Sequence, residues 1–68
     1  MDSNSARFLR LREVCGRVSL GRDSIYRLAR AGQFPKPIKL SDRASAWLES
    51  EIDGWIAARV AIRDKAAA

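Results

Sequence analysis

The side chains with the clearest chemical potential lie in one short segment, residues 19–28, which reads Ser-Leu-Gly-Arg-Asp-Ser-Ile-Tyr-Arg-Leu. A glycine precedes apolar residues at helical spacing, and polar or cationic side chains occupy the positions between them. Side chains of these types reach the base edges and phosphates of DNA, so the segment is typical of the turn and second helix of a helix-turn-helix. An ordinary amphipathic helix with a solvated basic face is the alternative. The helix residues predicted to touch DNA are Arg22, Asp23, Ser24, Tyr26 and Arg27.

The distribution of charge supports a polyanionic partner. The chain of 68 residues has 13 Lys and Arg against 8 Asp and Glu, a net charge of +5. Residues 1–43 carry ten of these cations and four of the acids, a net +6, whereas residues 44–68 carry a net −1. A basic first segment and a nearly neutral second segment suit a protein that binds a polyanion on one side. A basic surface that is merely solvated is the competing interpretation.

The composition argues against several other classes. There is no histidine, and the single cysteine, Cys15, has no partner for an internal disulfide and too few companions for a zinc site. We expect Cys15 to be a small buried residue, and we expect no metal, no cofactor and no enzymatic activity, since no histidine is available as a base. No apolar run reaches membrane-spanning length and no signal-peptide pattern is present, which favours a cytoplasmic, nucleoid-associated location without membrane contact.

The first elements must position the predicted DNA-binding helix. Residues 7–10 are expected to be extended, with Phe8 as the apolar anchor, and a short helix is predicted over residues 12–17. The second helix is predicted over residues 22–31, with Gly21 at its N-cap and Gly32 as its C′ residue. Two apolar stripes define the buried faces of these helices: Leu11, Val14, Cys15 and Val18 on the first, and Ile25, Leu28 and Ala29 on the second. The remaining positions of the second helix, Tyr26 among them, are expected to face away from the core.

A basic hairpin is predicted after the second helix, over residues 38–47. Two prolines at 35 and 37 exclude a helix before it, and Ser41-Asp42 is predicted to form its two-residue turn. This register pairs Leu40 with Arg43 and Ile38 with Ser45. A basic hairpin beside a helix-turn-helix is a wing, although a purely structural hairpin remains the alternative.

A third helix is predicted to begin near Glu49. Its apolar residues Ile52, Trp55, Ile56 and Val60 follow helical spacing and are expected to pack on the rest of the domain. Trp47 and Trp55 are interpreted as core residues rather than as stacking platforms for bases. We predict a disordered N-terminus over residues 1–6, one folded domain over residues 7–63 and a flexible tail over residues 64–68.

The chain resembles the AlpA family of small phage and prophage regulators over nearly the whole predicted domain. The segments that carry the resemblance are 7–11 (Arg-Phe-Leu-Arg-Leu), 24–28 (Ser-Ile-Tyr-Arg-Leu), 34–40 (Phe-Pro-Lys-Pro-Ile-Lys-Leu), 43–44 (Arg-Ala), 47–53 (Trp-Leu-Glu-Ser-Glu-Ile-Asp) and 55–56 (Trp-Ile). The resemblance implies a mainly α, winged helix-turn-helix domain with a small β-hairpin, related to the DNA-binding domains of MerR-type regulators and phage excisionases. The chain departs from the family pattern at Arg12, where many relatives have proline, at Gly21, where they have a serine cap, and at Ser41-Asp42, which replaces a glycine-rich wing turn.

The predicted function is therefore sequence-specific binding of double-stranded DNA by a transcriptional regulator of prophage or mobile-element genes. An excisionase-like factor that bends DNA for a recombinase is the first alternative, and a protein-interaction adaptor or antitoxin is the second. Beyond DNA, a recombinase or integrase and RNA polymerase are the candidate partners, and the protein binds either as a monomer or as a cooperative assembly on DNA. The complete predicted interface is Arg22, Asp23, Ser24, Tyr26, Arg27, Arg30, Lys36, Lys39 and Arg43.

Overall fold

The protein folds as three helices and a small antiparallel sheet, described here by a computed structural model over residues 6–67. The elements are β1 (Phe8–Leu9), α1 (Leu11–Val18), α2 (Arg22–Arg30), β2 (Ile38–Ser41), β3 (Ala44–Leu48) and α3 (Glu49–Ala67). The strand order is β1-β3-β2, so β3 is the central strand. This arrangement confirms the winged helix-turn-helix, mainly α with a small hairpin. The predicted disordered N-terminus lies outside the described residues except for Ala6.

The helix-turn-helix is built by local backbone conformations. α1 extends one residue beyond its predicted range at each end, and its last turn closes when the Ser19 N–H donates to the Cys15 carbonyl at 2.9 Å. Ser19 then adopts the left-handed conformation, with φ 58°. Gly21 is the N-cap of α2, as predicted, with extended backbone. The chain therefore reverses direction over three residues, and this reversal brings α2 back against α1.

The end of α2 follows a Schellman motif. The helix ends at Arg30, one residue earlier than predicted, and Ala31 is its C-cap. Gly32 has φ 77° and donates to the Ala29 carbonyl at 3.1 Å, while Gln33 donates to the Leu28 carbonyl at 2.9 Å. The prediction that Gly32 is the C′ residue is confirmed, since only glycine adopts this conformation without steric cost.

The extended N-terminal segment is a strand of the sheet. β1 pairs antiparallel with β3, with Phe8 opposite Leu48 and Leu9 opposite Trp47. Neighbouring residues of a strand face opposite sides, and it is Leu9 that is fully buried while Phe8 is 45% exposed. The prediction that Phe8 is the anchor is therefore wrong, and Leu9 takes that role.

The hairpin has a different register from the predicted one. Ser41 pairs with Ala44, which makes Asp42 and Arg43 the turn residues in place of Ser41-Asp42. Farther from the turn, Lys39 lies opposite Ser45 and Ile38 lies opposite Ala46, with a bulge at residue 40. The predicted pairs of Leu40 with Arg43 and Ile38 with Ser45 are wrong. The extra residue at a bulge shifts every pair beyond it, and no residue of this turn is strong enough to fix the register locally.

The core takes one large side chain from almost every element. The fully buried members are Leu9, Val14, Ile25, Trp47 and Ile52, from β1, α1, α2, β3 and α3 respectively. The indole N–H of Trp47 donates to the Pro35 carbonyl at 2.8 Å, so this ring also ties down the loop after α2. Trp47 is a core residue, as predicted. The strand that carries it, β3, pairs with β1 along one edge and with β2 along the other.

α3 packs only over its first two turns. Trp55 is half-buried, meets Phe34 edge-on at 4.9 Å between ring centroids and donates to the Gln33 carbonyl at 2.8 Å. Every residue from 57 to 67 is exposed, and Val60, which the periodicity predicts to pack, is 42% exposed. The helix passes the edge of the domain at this point, so these residues have no surface to pack against.

The helix also extends farther than the sequence indicates. Residues 64–67, assigned to a tail by the sequence, are helical, whereas the division of the chain into domain and tail stays a prediction. None of the helices in residues 6–67 is both long and apolar enough to span a membrane.

Candidate nucleic-acid interface

One flank of α2 faces the hairpin and carries a row of three predicted DNA-contacting residues. Arg22, Tyr26 and Arg30 are spaced four residues apart, which places them one above the other on a helix. Tyr26 borders two neighbouring clefts, with Arg22 lining the first and Arg30 lining the second. Arg22 and Tyr26 thus share a cleft with the wing, whereas Arg30 shares one with the segment that leads into the wing.

The first cleft, which we call the arginine cleft, lies where the start of α1, the start of α2 and the hairpin meet. It is an open cleft with a volume of about 440 Å³. Four of its seven lining residues are arginines, and a guanidinium presents a planar fork of donors that matches a phosphate. The lining residues are Arg10, Leu11, Arg12, Arg22, Tyr26, Arg43 and Ser45.

The second cleft lies between α2 and the segment that leads into β2. It is lined by Tyr26, Ala29, Arg30, Lys36 and Pro37, and its volume is about 550 Å³. Lys36 and Pro37 reach α2 because the loop is fixed at Pro35 by the Trp47 indole. The two cations of this cleft, Arg30 and Lys36, are exposed, which suits contacts to phosphates rather than to a buried ligand.

Tyr26 connects the basic surface to the core. The centroid of the Tyr26 ring lies 6.0 Å from that of the Trp47 ring. The guanidinium carbon of Arg22 lies over the Tyr26 ring, 5.9 Å from its centroid. The prediction that Tyr26 faces away from the core is wrong, because its ring is half-buried and packs against the core cluster. Arg22 therefore rests on an aromatic ring that is itself held by a fully buried one.

Four predicted residues line neither cleft. Asp23 and Arg27 are exposed on the outermost face of α2, and Ser24 is half-buried on the flank farther from the hairpin. Lys39 lies opposite Ser45 in the hairpin, and residues paired in this way share a face of the sheet. Lys39 thus projects from the same face of the wing as the arginine cleft.

Sequence reasoning missed two residues of this surface. Neither Arg10 nor Arg12 is among the predicted contacts, yet both line the arginine cleft. Arg10 is the N-cap of α1, and its Nε donates to the Ser45 carbonyl at 3.1 Å, a contact between residues 35 positions apart. Their position beside the wing follows from the pairing of β1 with β3, which no local spacing encodes.

Two arginines of the basic segment 1–43 form ion pairs away from the two clefts. Arg7 contacts Glu49 at 2.9 Å and Glu13 at 3.5 Å, while Arg17 contacts Glu49 at 2.7 Å and Asp53 at 3.2 Å. This network joins the start of the chain, α1 and α3, and none of its members lines either cleft. By contrast, no carboxylate within residues 6–67 forms an ion pair with any of the four cleft arginines. Cations without an ion pair in residues 6–67 therefore include those of α2, the start of α1 and the wing, together with Arg59 and Lys65 on the exposed half of α3.

A winged helix-turn-helix with cationic side chains on the second helix, at the start of α1 and on the wing is typical of small DNA-binding regulators. The family model described as prophage CP4-57 regulatory protein (AlpA) matches residues 7–60, and the chain belongs to this AlpA family. The sequence-based resemblance to the family is thereby confirmed. The chain is also similar to "Uncharacterized protein ORF88" of Enterobacteria phage P4, with 42% identity over 64 residues that cover 94% of this chain and 73% of that protein. Membership implies a DNA-binding regulator of phage origin, and the family is regulatory rather than enzymatic.

Proposed function

We propose that this protein is a sequence-specific, double-stranded-DNA-binding transcriptional regulator of prophage or mobile-element genes, in which α2 enters the major groove and the β2–β3 hairpin lies alongside as a wing. The observation that carries the proposal is the arginine cleft, where α1, α2 and the wing present guanidinium groups on a single surface. Cationic side chains on these three elements suit a polyanionic duplex that contacts the helix and the wing together.

α2 has the size and the side chains for direct reading of bases. An α-helix with its side chains is about 10–12 Å across, so α2 fits the major groove of B-DNA, which is about 12 Å wide. Arg22, Ser24 and Tyr26 approach base edges or adjacent phosphates, and Asp23 accepts a hydrogen bond from a cytosine amino group. A bidentate arginine contact to guanine contributes about 1–3 kcal/mol of discrimination, so Arg22 is the principal reading residue.

The remaining cations fix the position of the protein on the duplex. Arg27, Arg30 and Lys36 bind phosphates, while Lys39 and Arg43 contact the backbone beside the wing. Phosphate contacts set register and orientation but carry no base information. A recombinase or RNA polymerase as additional partner, a MerR-like mode of docking and a cytoplasmic location accord with this role and remain predictions.

The proposal is tested by selecting bound duplexes from a random pool and titrating the selected and a scrambled duplex at several salt concentrations. Four to six phosphate contacts give a slope of log K against log salt of roughly −4 to −5 for both duplexes, with tighter binding to the selected one. A slope near zero, or no binding at low salt, contradicts the proposal. Bending of the selected duplex, measured by circular permutation, separates a transcriptional regulator from the architectural excisionase-like alternative.

A further inference from the structure

We infer that the arginine cleft is a phosphate clamp, in which Arg10 and Arg12 join Arg43 around one backbone phosphate of the bound duplex, next to the base that Arg22 reads. This inference rests on the proposed function and adds two contact residues to it, at a place where α1 and the wing hold the same nucleotide. The position of that phosphate would fix how far the wing stands from α2 on the DNA.

Two guanidiniums of the cleft contact neighbouring groups in the free protein, that of Arg10 in the clamp and that of Arg22 beside it. Arg10 donates through Nε to the Ser45 carbonyl, which leaves both terminal nitrogens of its fork available to an anion. Arg22 rests over the Tyr26 ring, and that ring packs on Trp47. Groups held in place before binding lose less side-chain entropy when the ligand arrives.

The charges around the cleft favour an anion strongly. Four arginines line the cleft, and none of them forms an ion pair with a carboxylate of residues 6–67. The nearby carboxylates are Asp23 in the first turn of α2 and Glu13, which accepts from the Arg10 backbone N–H at 3.4 Å. The N-terminus of α2 begins at Arg22, and its cap Gly21 supplies no side-chain acceptor for the first N–H groups, so the helix end adds to the positive potential.

A phosphodiester of duplex DNA is the occupant we assign, because the cleft opens beside the flank of α2 that faces the wing. The same chemistry would also accept free inorganic phosphate. The two sources differ in one respect: a DNA phosphate occupies a single position relative to the bases that α2 contacts, whereas a free anion has no such position.

The experiment replaces each phosphate of the selected duplex, one at a time, by an uncharged methylphosphonate and measures the affinity of the wild type and of Arg12→Ala. For the wild type, we expect one position beside the major-groove contacts to weaken binding roughly tenfold, a typical cost for one charged hydrogen-bonded contact. For Arg12→Ala, that position should change affinity less than other contacted positions do, because the contact is already weakened. The salt slope of Arg12→Ala should fall by about one on both selected and scrambled duplexes.

Matched variants keep the test decisive. Arg63→Ala removes the same side chain and charge from the exposed part of α3, and we expect it to leave the salt slope and the methylphosphonate pattern unchanged. Arg12 is exposed, and circular dichroism checks that its variant folds. Arg12→Lys serves as a second variant that retains the charge but loses the fork, and it should keep the salt slope while losing part of the affinity.

The inference is overturned if Arg12→Ala shows the wild-type slope and the wild-type methylphosphonate pattern. It is also overturned if millimolar inorganic phosphate raises the melting temperature of the wild type but not of Arg12→Ala, while both bind DNA alike. In either case the wild type still binds the selected duplex, so the proposed function stands. If the wild type itself binds no DNA, the proposed function is wrong, and the phosphate clamp that rests on it is wrong as well.

Discussion

At the scale of single residues, Arg22 and Arg27 show how one helix can carry two kinds of cation. Arg22 lies on the flank of α2 that faces the wing, with its guanidinium against the Tyr26 ring. Arg27 is exposed on the outermost face and lines neither cleft. The first is held in a defined geometry by an aromatic ring, whereas the second is free to follow a phosphate. A bidentate contact to a base requires a fixed orientation of the guanidinium group, whereas a contact to a phosphate requires only its positive charge.

We therefore predict different outcomes for the same substitution at these two positions. Arg22→Lys keeps the charge but loses the planar fork, so preference for the selected over the scrambled duplex should fall by about 1–3 kcal/mol, a factor on the order of 5 to 150. Arg27→Lys should leave that preference nearly unchanged. Competition titrations of both duplexes with both variants measure the effect. Equal losses of preference would mean that the two arginines are not divided between base and phosphate as proposed.

At the scale of elements, the turn between α1 and α2 contains an uncommon backbone conformation at one residue. Ser19 adopts φ 58°, the only non-glycine residue with positive φ among the described ones. A side chain on Cβ makes the left-handed conformation costly for an L-residue, and Ser19 adopts it at the C-cap of α1, where its N–H donates to the Cys15 carbonyl. Ser19 is the first residue of the turn that leads from α1 into α2.

Ser19→Gly should consequently stabilise the protein. Removing Cβ relieves the left-handed strain, and after the entropy cost of glycine in the unfolded chain a net gain of about 0.5–1 kcal/mol remains. In a domain of this size that gain raises the melting temperature by a few degrees. Ser19→Ala is the matched control, since it removes the same hydroxyl but keeps Cβ and should give no gain. Thermal unfolding monitored by circular dichroism gives the melting temperatures of both variants. An equal rise in melting temperature for both would show that loss of the hydroxyl, and not of Cβ, causes the stabilisation.

At the scale of the whole molecule, α3 packs on the core through its first half and extends beyond the core with its second half. Ile52 is fully buried, and Trp55 and Ile56 pack against the core cluster. Beyond them, the eleven residues from 57 to 67 are all exposed. The family match ends at residue 60, close to where packing ends. The stability of the domain should therefore depend on the first half of this helix and hardly on the second.

Two truncations test this division of α3. A chain that ends at Ala61 should unfold within about 3 °C of the full-length protein, since none of the lost side chains packs on the core. A chain that ends at Asp53 lacks Trp55 and Ile56 and should be unfolded, because a small domain has only a few kcal/mol of stability to lose. Thermal melts of the three chains provide the measurement. A large loss of stability in the first truncation would show that the exposed half of α3 has a stabilising contact in solution.

The sequence by itself determined the local features of this protein. Helical spacing and glycine positions located the three helices to within a residue or two, except at the end of α3, and placed the cap at Gly21 and the C′ residue at Gly32. The order and spacing of the family motifs along the chain were sufficient to identify the AlpA family. These features are readable because hydrophobic periodicity and backbone preferences act over only a few neighbouring residues.

Tertiary structure alone decided the features that depend on distant residues. The anchor is Leu9 because β1 pairs with Trp47, and the hairpin turns at Asp42 and Arg43 because its strands meet with a bulge. In the candidate interface, Arg10 reaches the wing through Ser45, and Arg7 and Arg17 are withdrawn from it by carboxylates 32 to 42 residues away. Strand register and ion pairing are set by packing of the complete core, and an excess of charge in the sequence therefore gives its sign but not the surface on which it lies.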